Sequence, residues 1–431
     1  MAPTNGITYS EAFAEFEDED LDTFELENFE TFSPEKKKKG GFLTVFTSLK
    51  SIFVSKKRDK GHDRRKAISM PEFAISQQVE NKNFLANPVN RRVTVPDNIY
   101  HSYSTYEALL EDEKEQFEVR LVTVSESKSS ELDYDYKRKI GVGSFGAVYL
   151  VENRYTREIN AIKEIDYTSS TMKRLAEKER DHLFACSSPF IVSLVDFYYK
   201  EDSQICLVME YLGDANLLRH LVRYGKLSET LTKFYTAQII LAIEYMHNVN
   251  LIHRDLKPEN IMITRDGYIK LVDLGLSKQA ETADSMAGTL GYKAPEMLLG
   301  NRYTKAVDWW SLGIIIYEML AGARCTPCQR LEYENGRGDY VIQNSSRIYF
   351  PVGFPKTEVR DLISRLLKNN SSQRLGSGST GSADIKIHPW FYGVDWMAIY
   401  RKEVIPPSPP PSKTPYYKRQ SKFHRIVRAC P

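Results

Sequence analysis

The residue string with the most specific chemistry lies near the middle of the chain. Residues 251–260 read Leu-Ile-His-Arg-Asp-Leu-Lys-Pro-Glu-Asn. Asp255 can accept the proton of a hydroxyl group, and Lys257 can neutralise negative charge on a group in transfer. Asn260 offers an oxygen ligand of the kind that Mg²⁺ prefers. A base, a cation and a metal ligand in one short segment are typical of a site that transfers phosphoryl groups.

A second metal ligand follows shortly downstream. Residues 271–275 read Leu-Val-Asp-Leu-Gly. Phosphoryl transfer needs positioned oxygens, a residue that orients the attacking hydroxyl and metal ions that absorb charge, with little covalent chemistry from the protein. We therefore predict that Asp273 binds a first Mg²⁺ and that Asn260 binds a second one. Taken singly, an Asp or Asn in such a segment would be an ordinary loop residue.

A glycine-rich segment upstream predicts a loop that covers phosphates. Gly141, Gly143 and Gly146 have the spacing G-x-G-x-x-G. Glycine lets backbone N–H groups approach phosphate oxygens because no Cβ atom stands between them. Dinucleotide-binding folds use the same spacing, but there the third glycine opens a helix. Here β-prone residues and a polar turn follow, which favours a strand, a glycine turn and two further strands. Alone, the segment would also fit an ordinary glycine-rich hairpin.

Lys163 ends the triplet Ala-Ile-Lys, so an apolar strand delivers one ammonium group. A cation placed among phosphates needs a counter-ion to hold it. Residues 171–185 predict a helix on which Leu175, Glu179 and Leu183 are four residues apart and share one face. We expect that face to point toward the core, which makes Glu179 the partner of Lys163. A solvated helix glutamate is the alternative.

Residues 134–396 resemble the eukaryotic protein kinase family and, within it, the AGC group, with the cyclic-nucleotide-dependent kinases most similar. Further matching segments are Ala-Pro-Glu at 294–296, Lys-Ala-Val-Asp-Trp-Trp-Ser-Leu-Gly at 305–313, Arg-Leu-Gly at 374–376 and Asp-Trp-Met-Ala-Ile-Tyr at 395–400. The resemblance implies an α+β, two-lobed fold: a small antiparallel β-rich lobe with one key helix, and a larger, mainly helical lobe. It also implies ATP and Mg²⁺ as cofactors and transfer of the γ-phosphoryl group to serine or threonine of protein substrates.

The same resemblance implies roles for individual residues. Asp255 and Lys257 would be catalytic, the adenine would lie among apolar side chains, and the segment from Glu210 to Leu212 would connect the lobes. The residues placed around ATP are Gly141, Gly143, Ser144, Phe145, Gly146, Val148, Ala161, Lys163, Glu179, Met209, Glu210 and Leu212.

Ser285 matches the position at which the family is phosphorylated in its activation loop. Arg254, beside the catalytic Asp255, carries a positive charge that an arriving anion could neutralise. A phosphate on Ser285 could pair with Arg254 and Lys278 and order the loop. An exposed loop serine without this role is the alternative.

Substrate choice is predicted from acidic positions. Glu259 and Glu318 fall where related kinases recognise arginine upstream of the target residue, and Thr289 belongs to the same substrate-recognition set. A third acidic position of the family, after the hinge, is occupied by Asn216. We therefore expect a preference for basic substrates that is weaker than in the family.

Composition divides the chain into five segments. They are an acidic aromatic tail at 1–35, a basic amphipathic segment at 36–66, a polar linker with basophilic target-like sites at 67–133, a protein kinase catalytic domain at 134–391 and a C-terminal extension at 392–431. We expect the N-terminal region to be largely disordered, because acidic and polar segments bury too little apolar surface. The target-like sites end at Ser69 and Thr94, and a generic basic loop is the alternative for each.

Partners beyond protein substrates are predicted from the basic segment at 36–66. An amphipathic helix there could lie on an anionic membrane or enter a calmodulin-like groove, and packing on the rest of the chain is the alternative. No apolar run reaches the ~20 residues that span a bilayer, and the start lacks the pattern of a secretion signal. We expect a cytoplasmic protein, peripheral at membranes, with no nucleic-acid partner. The competing class is a pseudokinase scaffold that acts through its N-terminal region.

Overall fold

The computed structural model describes residues 97–124, 129–143, 146–200, 203–285, 287–323 and 348–408. The predicted acidic tail, the basic segment, and the sites at Ser69 and Thr94 lie outside these ranges. None of the helices within them is long and apolar enough to span a membrane.

The small lobe is a five-stranded antiparallel sheet with the order β1-β2-β3-β5-β4. The strands are β1 (Tyr134–Gly143), β2 (Gly146–Asn153), β3 (Ile159–Asp166), β4 (Leu194–Lys200) and β5 (Gln204–Glu210). The turn between β2 and β3 forms because the side chain of Asn153 accepts hydrogen bonds from the backbone of Tyr155 and Thr156, at 2.9 and 3.0 Å. This sheet confirms the predicted order of strand, glycine turn and two further strands.

One helix packs against the small sheet, between β3 and β4 in the chain. We call it α2 (Ser170–Ala185), and it begins where the Ser169 side chain accepts a hydrogen bond from Met172 N. Its buried residues are Ala176, Glu179, His182, Leu183 and Ala185. Leu175 is 49 % exposed, so the prediction that it shares the buried face is wrong. The buried stripe is rotated toward Ala176 and His182, and Glu179 still lies within it.

The large lobe is mainly helical. Its helices are α3 (Leu217–Tyr224), α4 (Glu229–Asn248), α5 (Pro295–Leu298), α6 (Ala306–Ala321), α7 (Val359–Leu366), α8 (Ser382–Lys386) and α9 (Trp396–Tyr400). The short strands β6 (Leu251–Ile252), β7 (Ile261–Ile263), β8 (Ile269–Leu271) and β9 (Lys278–Gln279) form two small antiparallel ladders, β6 with β9 and β7 with β8. Helices α4 and α6 are buried along most of their length and form the centre of this lobe. The predicted two-lobed α+β fold is confirmed.

Two segments that matched the family pattern far apart in the chain meet in the large lobe. The guanidinium of Arg374, which is 2 % exposed, donates to both carboxylate oxygens of Glu296 at 2.7 and 2.9 Å. A two-point ion pair of this kind fixes orientation as well as distance. The contact ties the start of α5 to the loop after α7.

A further helix, α1 (Asp97–Val122), lies within the stretch predicted to be a polar linker. That prediction is wrong for these residues. Tyr106 and Phe117 on this helix are 2 % and 0 % exposed and belong to the main core. Arg120 Nε donates to the carbonyl of Ala185 at the end of α2, at 2.8 Å, and Asn248 at the end of α4 donates to the carbonyl of Leu110 at 2.6 Å. Helix α1 therefore contacts both lobes.

Candidate active site

A buried carboxylate on α6 shapes the loop that carries the predicted base. Asp308 is 0 % exposed, and its two oxygens accept hydrogen bonds from the backbone N–H groups of His253 and Arg254, at 3.0 and 2.9 Å. His247 Nε2 lies 2.8 Å from the same carboxylate. Burial alone would raise the pKa of Asp308, but these hydrogen bonds and the charge of His247 lower it overall. The carboxylate therefore stays ionised and holds the loop.

The backbone is strained at two predicted site residues. Arg254 has φ of 69° and Asp273 has φ of 65°, both in the left-handed region that side chains rarely adopt. Each such residue costs about 1–3 kcal/mol and persists only where its surroundings hold it. The hydrogen bonds of Asp308 supply that support at Arg254.

The predicted catalytic residues form one hydrogen-bonded group. Lys257 Nζ lies 2.9 Å from Asp255 Oδ2, and Asn260 Nδ2 donates to the Asp255 carbonyl at 3.0 Å. Thr289 donates to Asp255 Oδ1 through its backbone N–H at 2.8 Å and its hydroxyl at 2.7 Å. Lys257 also donates to the Thr289 hydroxyl at 2.8 Å. The structure thus brings together the three members from residues 251–260 and adds Thr289 from a later loop.

Lys163 is buried between two carboxylates. Its Nζ lies 2.7 Å from Glu179 Oε1 on α2 and 2.8 Å from Asp273 Oδ1. Burial alone would lower the pKa of Lys163, but the charges of both carboxylates raise it overall. The same ion pair lowers the pKa of Asp273, against the opposing effect of its burial. The pairing of Lys163 with Glu179 is the one that the sequence pattern predicted.

Asp273 and Asn260 are placed to offer oxygens to a cation. The amide nitrogen of Asn260 donates to the Asp255 carbonyl, and no residue that the structure describes donates a hydrogen bond to its amide oxygen. Within the described ranges, no group of three or more His, Cys, Asp or Glu residues could hold a metal by itself. Two hard oxygen donors fit Mg²⁺ when phosphate oxygens and water complete the shell.

The residues predicted around the adenine lie on facing strands. Ala161 on β3 pairs with Met209 on β5, and Val148 on β2 pairs with Lys163. Ala161 and Met209 are 8 % and 9 % exposed, so both are apolar side chains with only a small accessible part.

The hinge segment uses its polar groups internally. Glu210 Oε1 accepts hydrogen bonds from Lys270 Nζ at 2.5 Å and from the backbone of Ser193 at 2.7 Å. Its side chain thus joins Ser193, just before β4, to Lys270 on β8. Leu212 packs against the main core.

The glycine-rich hairpin is described on both sides of its tip. Gly143 pairs with Gly146 at the end of β1 and β2, and Gly141 pairs with Val148. Gly146 has φ of 151°, and a Cβ atom there would lie 1.7 Å from the Glu164 carbonyl oxygen. Only glycine fits this position. The predicted phosphate contacts Ser144 and Phe145 lie outside the described residues.

The predicted phosphorylation residue contacts its predicted arginine. Arg254 Nη1 donates to the Ser285 hydroxyl at 2.7 Å, and Arg254 Nε donates to the Leu276 carbonyl at 2.6 Å. Lys278 lies 3.7 Å from Asp284 rather than on Ser285 itself. The sequence reasoning missed Tyr303, whose hydroxyl donates to the Ser285 carbonyl at 2.7 Å.

The predicted substrate-recognition residues differ in how free they are. Glu259 Oε2 is buried and has no hydrogen-bond partner among the described residues. Glu318 is 2 % exposed and accepts a hydrogen bond from the Tyr292 hydroxyl at 2.7 Å. Asn216 caps α3, because its side chain accepts from the backbone of Arg219 at 2.9 Å.

Asp308 was missed as a functional residue. It stood in a segment that matched the family, but its partners are backbone groups, and a residue pattern does not show these. A buried aspartate near the start of an otherwise apolar helix was the available signal.

Comparisons with known proteins show the family of the chain. Residues 134–391 match the family described as protein kinase domain. The cAMP-dependent protein kinase catalytic subunit 2 of Drosophila melanogaster is 34 % identical over 320 residues, which cover 72 % of this chain and 88 % of that protein. The human cAMP-dependent protein kinase catalytic subunit PRKX is 36 % identical over 282 residues, 64 % of this chain and 77 % of that protein. The serine/threonine-protein kinase AtPK1/AtPK6 of Arabidopsis thaliana is 36 % identical over 283 residues, 64 % and 58 % of the two chains.

Proposed function

The chain belongs to the protein kinase family as a serine/threonine kinase of the AGC group, and we propose how its residues divide the transfer of the ATP γ-phosphoryl group. Lys163 binds the phosphates of ATP, Glu179 holds Lys163 in place, and Asp273 with Asn260 holds Mg²⁺. Bound Mg²⁺ would neutralise charge on the phosphates. The observation that carries this proposal is the buried ammonium of Lys163 within 2.8 Å of both Glu179 and Asp273.

Asp255 and Lys257 act on the transferred group in this proposal. Asp255 keeps its Oδ2 on the side of Lys257, while Thr289 occupies its Oδ1. An attacking serine or threonine hydroxyl would approach Asp255, which orients it and accepts its proton. Lys257 lies close enough to neutralise charge on the phosphoryl group as it passes. The site therefore works by positioning and electrostatics, as phosphoryl transfer requires.

A basic preference in the substrate is a further part of the proposal. Glu259 supports it, because a buried carboxylate oxygen without a partner is costly unless a cation reaches it. Glu318 already holds Tyr292, and Asn216 caps a helix and carries no charge. We expect one upstream basic residue to improve a peptide clearly, and a second basic residue to add less.

Activation by phosphate on Ser285 is supported by geometry. The Ser285 hydroxyl already lies 2.7 Å from Arg254, so a phosphate on this residue would be within reach of a charge-assisted contact. Asp308 holds the backbone N–H of Arg254, and the phosphate would hold its guanidinium group, so the residue before Asp255 would be anchored at both ends.

Membrane or calmodulin-like binding through residues 36–66 is a proposal that the sequence alone supports. Sedimentation of the full chain with vesicles of anionic phospholipid, against vesicles of phosphatidylcholine alone, tests it. Equal sedimentation with both would exclude the electrostatic contact that the basic residues suggest.

The transfer itself is tested with labelled Mg-ATP and an array of serine and threonine peptides. The full chain should label peptides above the Asp273→Ala blank, and those with an upstream arginine should lead. Exchange of arginine for citrulline at that position is the matched control for charge. Equal labelling of the arginine and citrulline peptides would contradict the proposed basic preference. Absence of labelling above the blank, with ATP bound and Ser285 phosphorylated, would favour the scaffold class.

A further inference from the structure

A second contact joins α2 to residues 273–277, which we call the metal-binding loop, and this contact does not involve charge. His182 lies one turn after Glu179 on α2 and is 6 % exposed. Its Nδ1 lies 2.8 Å from the hydroxyl oxygen of Ser277, which is 9 % exposed. Ser277 follows Asp273 by four residues. The same helix and the same loop are therefore joined twice.

The direction of this hydrogen bond follows from its neighbours. Ser277 Oγ donates its single hydrogen to the carbonyl of Leu274 at 2.6 Å. The imidazole of His182 must then donate from Nδ1, since the hydroxyl has no other hydrogen to give. Burial lowers the pKa of His182 to about 4, and the charges of Lys178 and Arg254 act in the same direction. The neutral imidazole thus donates to the Ser277 hydroxyl, and that hydroxyl donates in turn to the backbone carbonyl of Leu274.

Little space separates the helix from the loop at this point. A Cβ atom on Gly275 would lie 2.8 Å from Glu179 Oε2 and 3.2 Å from Asp273 Oδ1. Because the loop passes this close, a small movement of α2 relative to the loop would change the position of Glu179 relative to Asp273, and Lys163 could then not keep both contacts. A contact that holds the helix at this separation therefore acts on the ion pairs without touching them.

The other side of the loop is also held. The carbonyl of Leu276 accepts from Arg254, which also donates to Ser285. Ser277 is the next residue, and Lys278 begins β9. One side of the loop is therefore already held toward Ser285. The hydrogen bond from His182 then fixes the remaining distance, the one between the loop and α2.

We propose that His182 and Ser277 are positioning residues for the transfer reaction. Their hydrogen bond holds α2 against residues 273–277 at the separation at which Lys163 reaches both Glu179 and Asp273. The inference rests on the proposed function and adds a neutral contact to the charged one.

The pair is tested in the full chain with Ser277→Ala and His182→Leu. Loss of one hydrogen bond should lower kcat about 3- to 10-fold. It should also raise the Mg²⁺ concentration for half-maximal rate, while KM for the peptide stays unchanged. Ser277→Thr, which keeps the hydroxyl, and His182→Asn, which keeps a donor near the position of Nδ1, should recover most of both values.

The double variant separates positioning from general destabilisation. Ser277→Ala combined with His182→Leu should be no worse than the more affected single variant, because both remove the same contact. Thermal unfolding of every variant is measured alongside. If His182→Leu does not fold, Ser277→Ala and Ser277→Thr alone decide the outcome.

The failures are distinguishable. A wild-type chain that transfers no more phosphate than the Asp273→Ala blank would overturn the proposed function itself. An active wild type with Ser277→Ala unchanged in kcat and in Mg²⁺ dependence would overturn only the positioning role. So would a lowered unfolding temperature with unchanged Mg²⁺ dependence, or single effects that multiply in the double variant.

Discussion

Asp308 makes no contact with a side chain to which we assign catalysis. It does bind the backbone directly before the catalytic Asp255, at His253 and Arg254. Its oxygens accept from two consecutive backbone N–H groups and face His247. A charged acceptor of this kind forms stronger hydrogen bonds than a neutral one. The ionised state of Asp308 is therefore part of the fold of the loop.

We expect Asp308→Asn to destabilise the chain by about 2–4 kcal/mol at pH 7, because one charged acceptor and its pairing with His247 are lost. The pKa of Asp308 is lowered by folding. Its stabilisation is therefore present above the ordinary aspartate pKa of about 4 and declines as the pH falls below it. Denaturant unfolding at several pH values measures this.

Asp112→Asn, at an exposed position of α1, is the matched control for that substitution. It should change the free energy of unfolding by less than about 0.5 kcal/mol at every pH. If the free energy of unfolding falls in acid as steeply for Asp308→Asn as for the wild type, the role given to Asp308 is contradicted.

Ser285→Ala should transfer phosphate more slowly than the wild type phosphorylated at Ser285. In the variant, Arg254 has no phosphate with which to pair. The physical reason is the 2.7 Å contact between the two residues. Rates before and after phosphatase treatment measure the effect, with phosphorylation mapped by mass spectrometry. If phosphatase leaves the wild-type rate unchanged, or Ser285→Ala is fully active, the phosphorylation hypothesis fails.

Residue patterns predicted contacts between charged side chains better than contacts to the backbone. The pairing of Lys163 with Glu179 followed from helical spacing, although Leu175 proved to be exposed. His182 was missed because a histidine in a charged helix gives no sign of what it contacts. Asp308 was missed for the same reason, since its partners are backbone N–H groups.

At the scale of elements, α1 changes the boundary of the folded unit. Its inward stripe follows the spacing Tyr106, Leu110, Glu113, Phe117 and Leu121, which is the pattern of one helix face. Glu113 within this stripe pairs with Arg120 at 2.8 Å, and Arg120 reaches the end of α2. The helix thus stabilises the end of the element that carries Glu179.

Phe117→Ala should destabilise the chain by about 3–5 kcal/mol, because a fully buried aromatic ring leaves a cavity in the core. Val119→Ala, at a position 59 % exposed on the same helix, is the control and should cost far less. Denaturant unfolding measures both. Equal effects of the two substitutions would show that α1 does not pack as described.

Sequence reasoning missed α1 because most of its residues are charged or polar, and its few apolar residues are spread over five turns. The strands of the small lobe were predictable because their apolar residues alternate and the glycines punctuate them. Helix α1 depends on the core of another region to receive two aromatic rings. That dependence is tertiary and leaves little trace in local composition.

At the scale of the whole molecule, the kinase fold and the central site were largely predictable. The sequence motifs between Lys163 and Asp273 contain residues whose chemistry restricts what can lie beside them. The extent of the folded unit was not predictable. The main core begins with Tyr106, well before residue 134, and includes Trp396 and Ile399. A shortened chain that keeps the whole core should therefore start at residue 97 and not at residue 134.

The central claim is that Asp255 orients the attacking hydroxyl group, whereas the binding of ATP does not depend on Asp255. The most direct test is single-turnover transfer from labelled Mg-ATP, measured beside ATP affinity, for the wild type and Asp255→Asn. We predict that Asp255→Asn binds ATP within about threefold of the wild type and loses at least about 100-fold in transfer rate. Transfer that survives at the wild-type rate, with ATP affinity unchanged, would contradict the account.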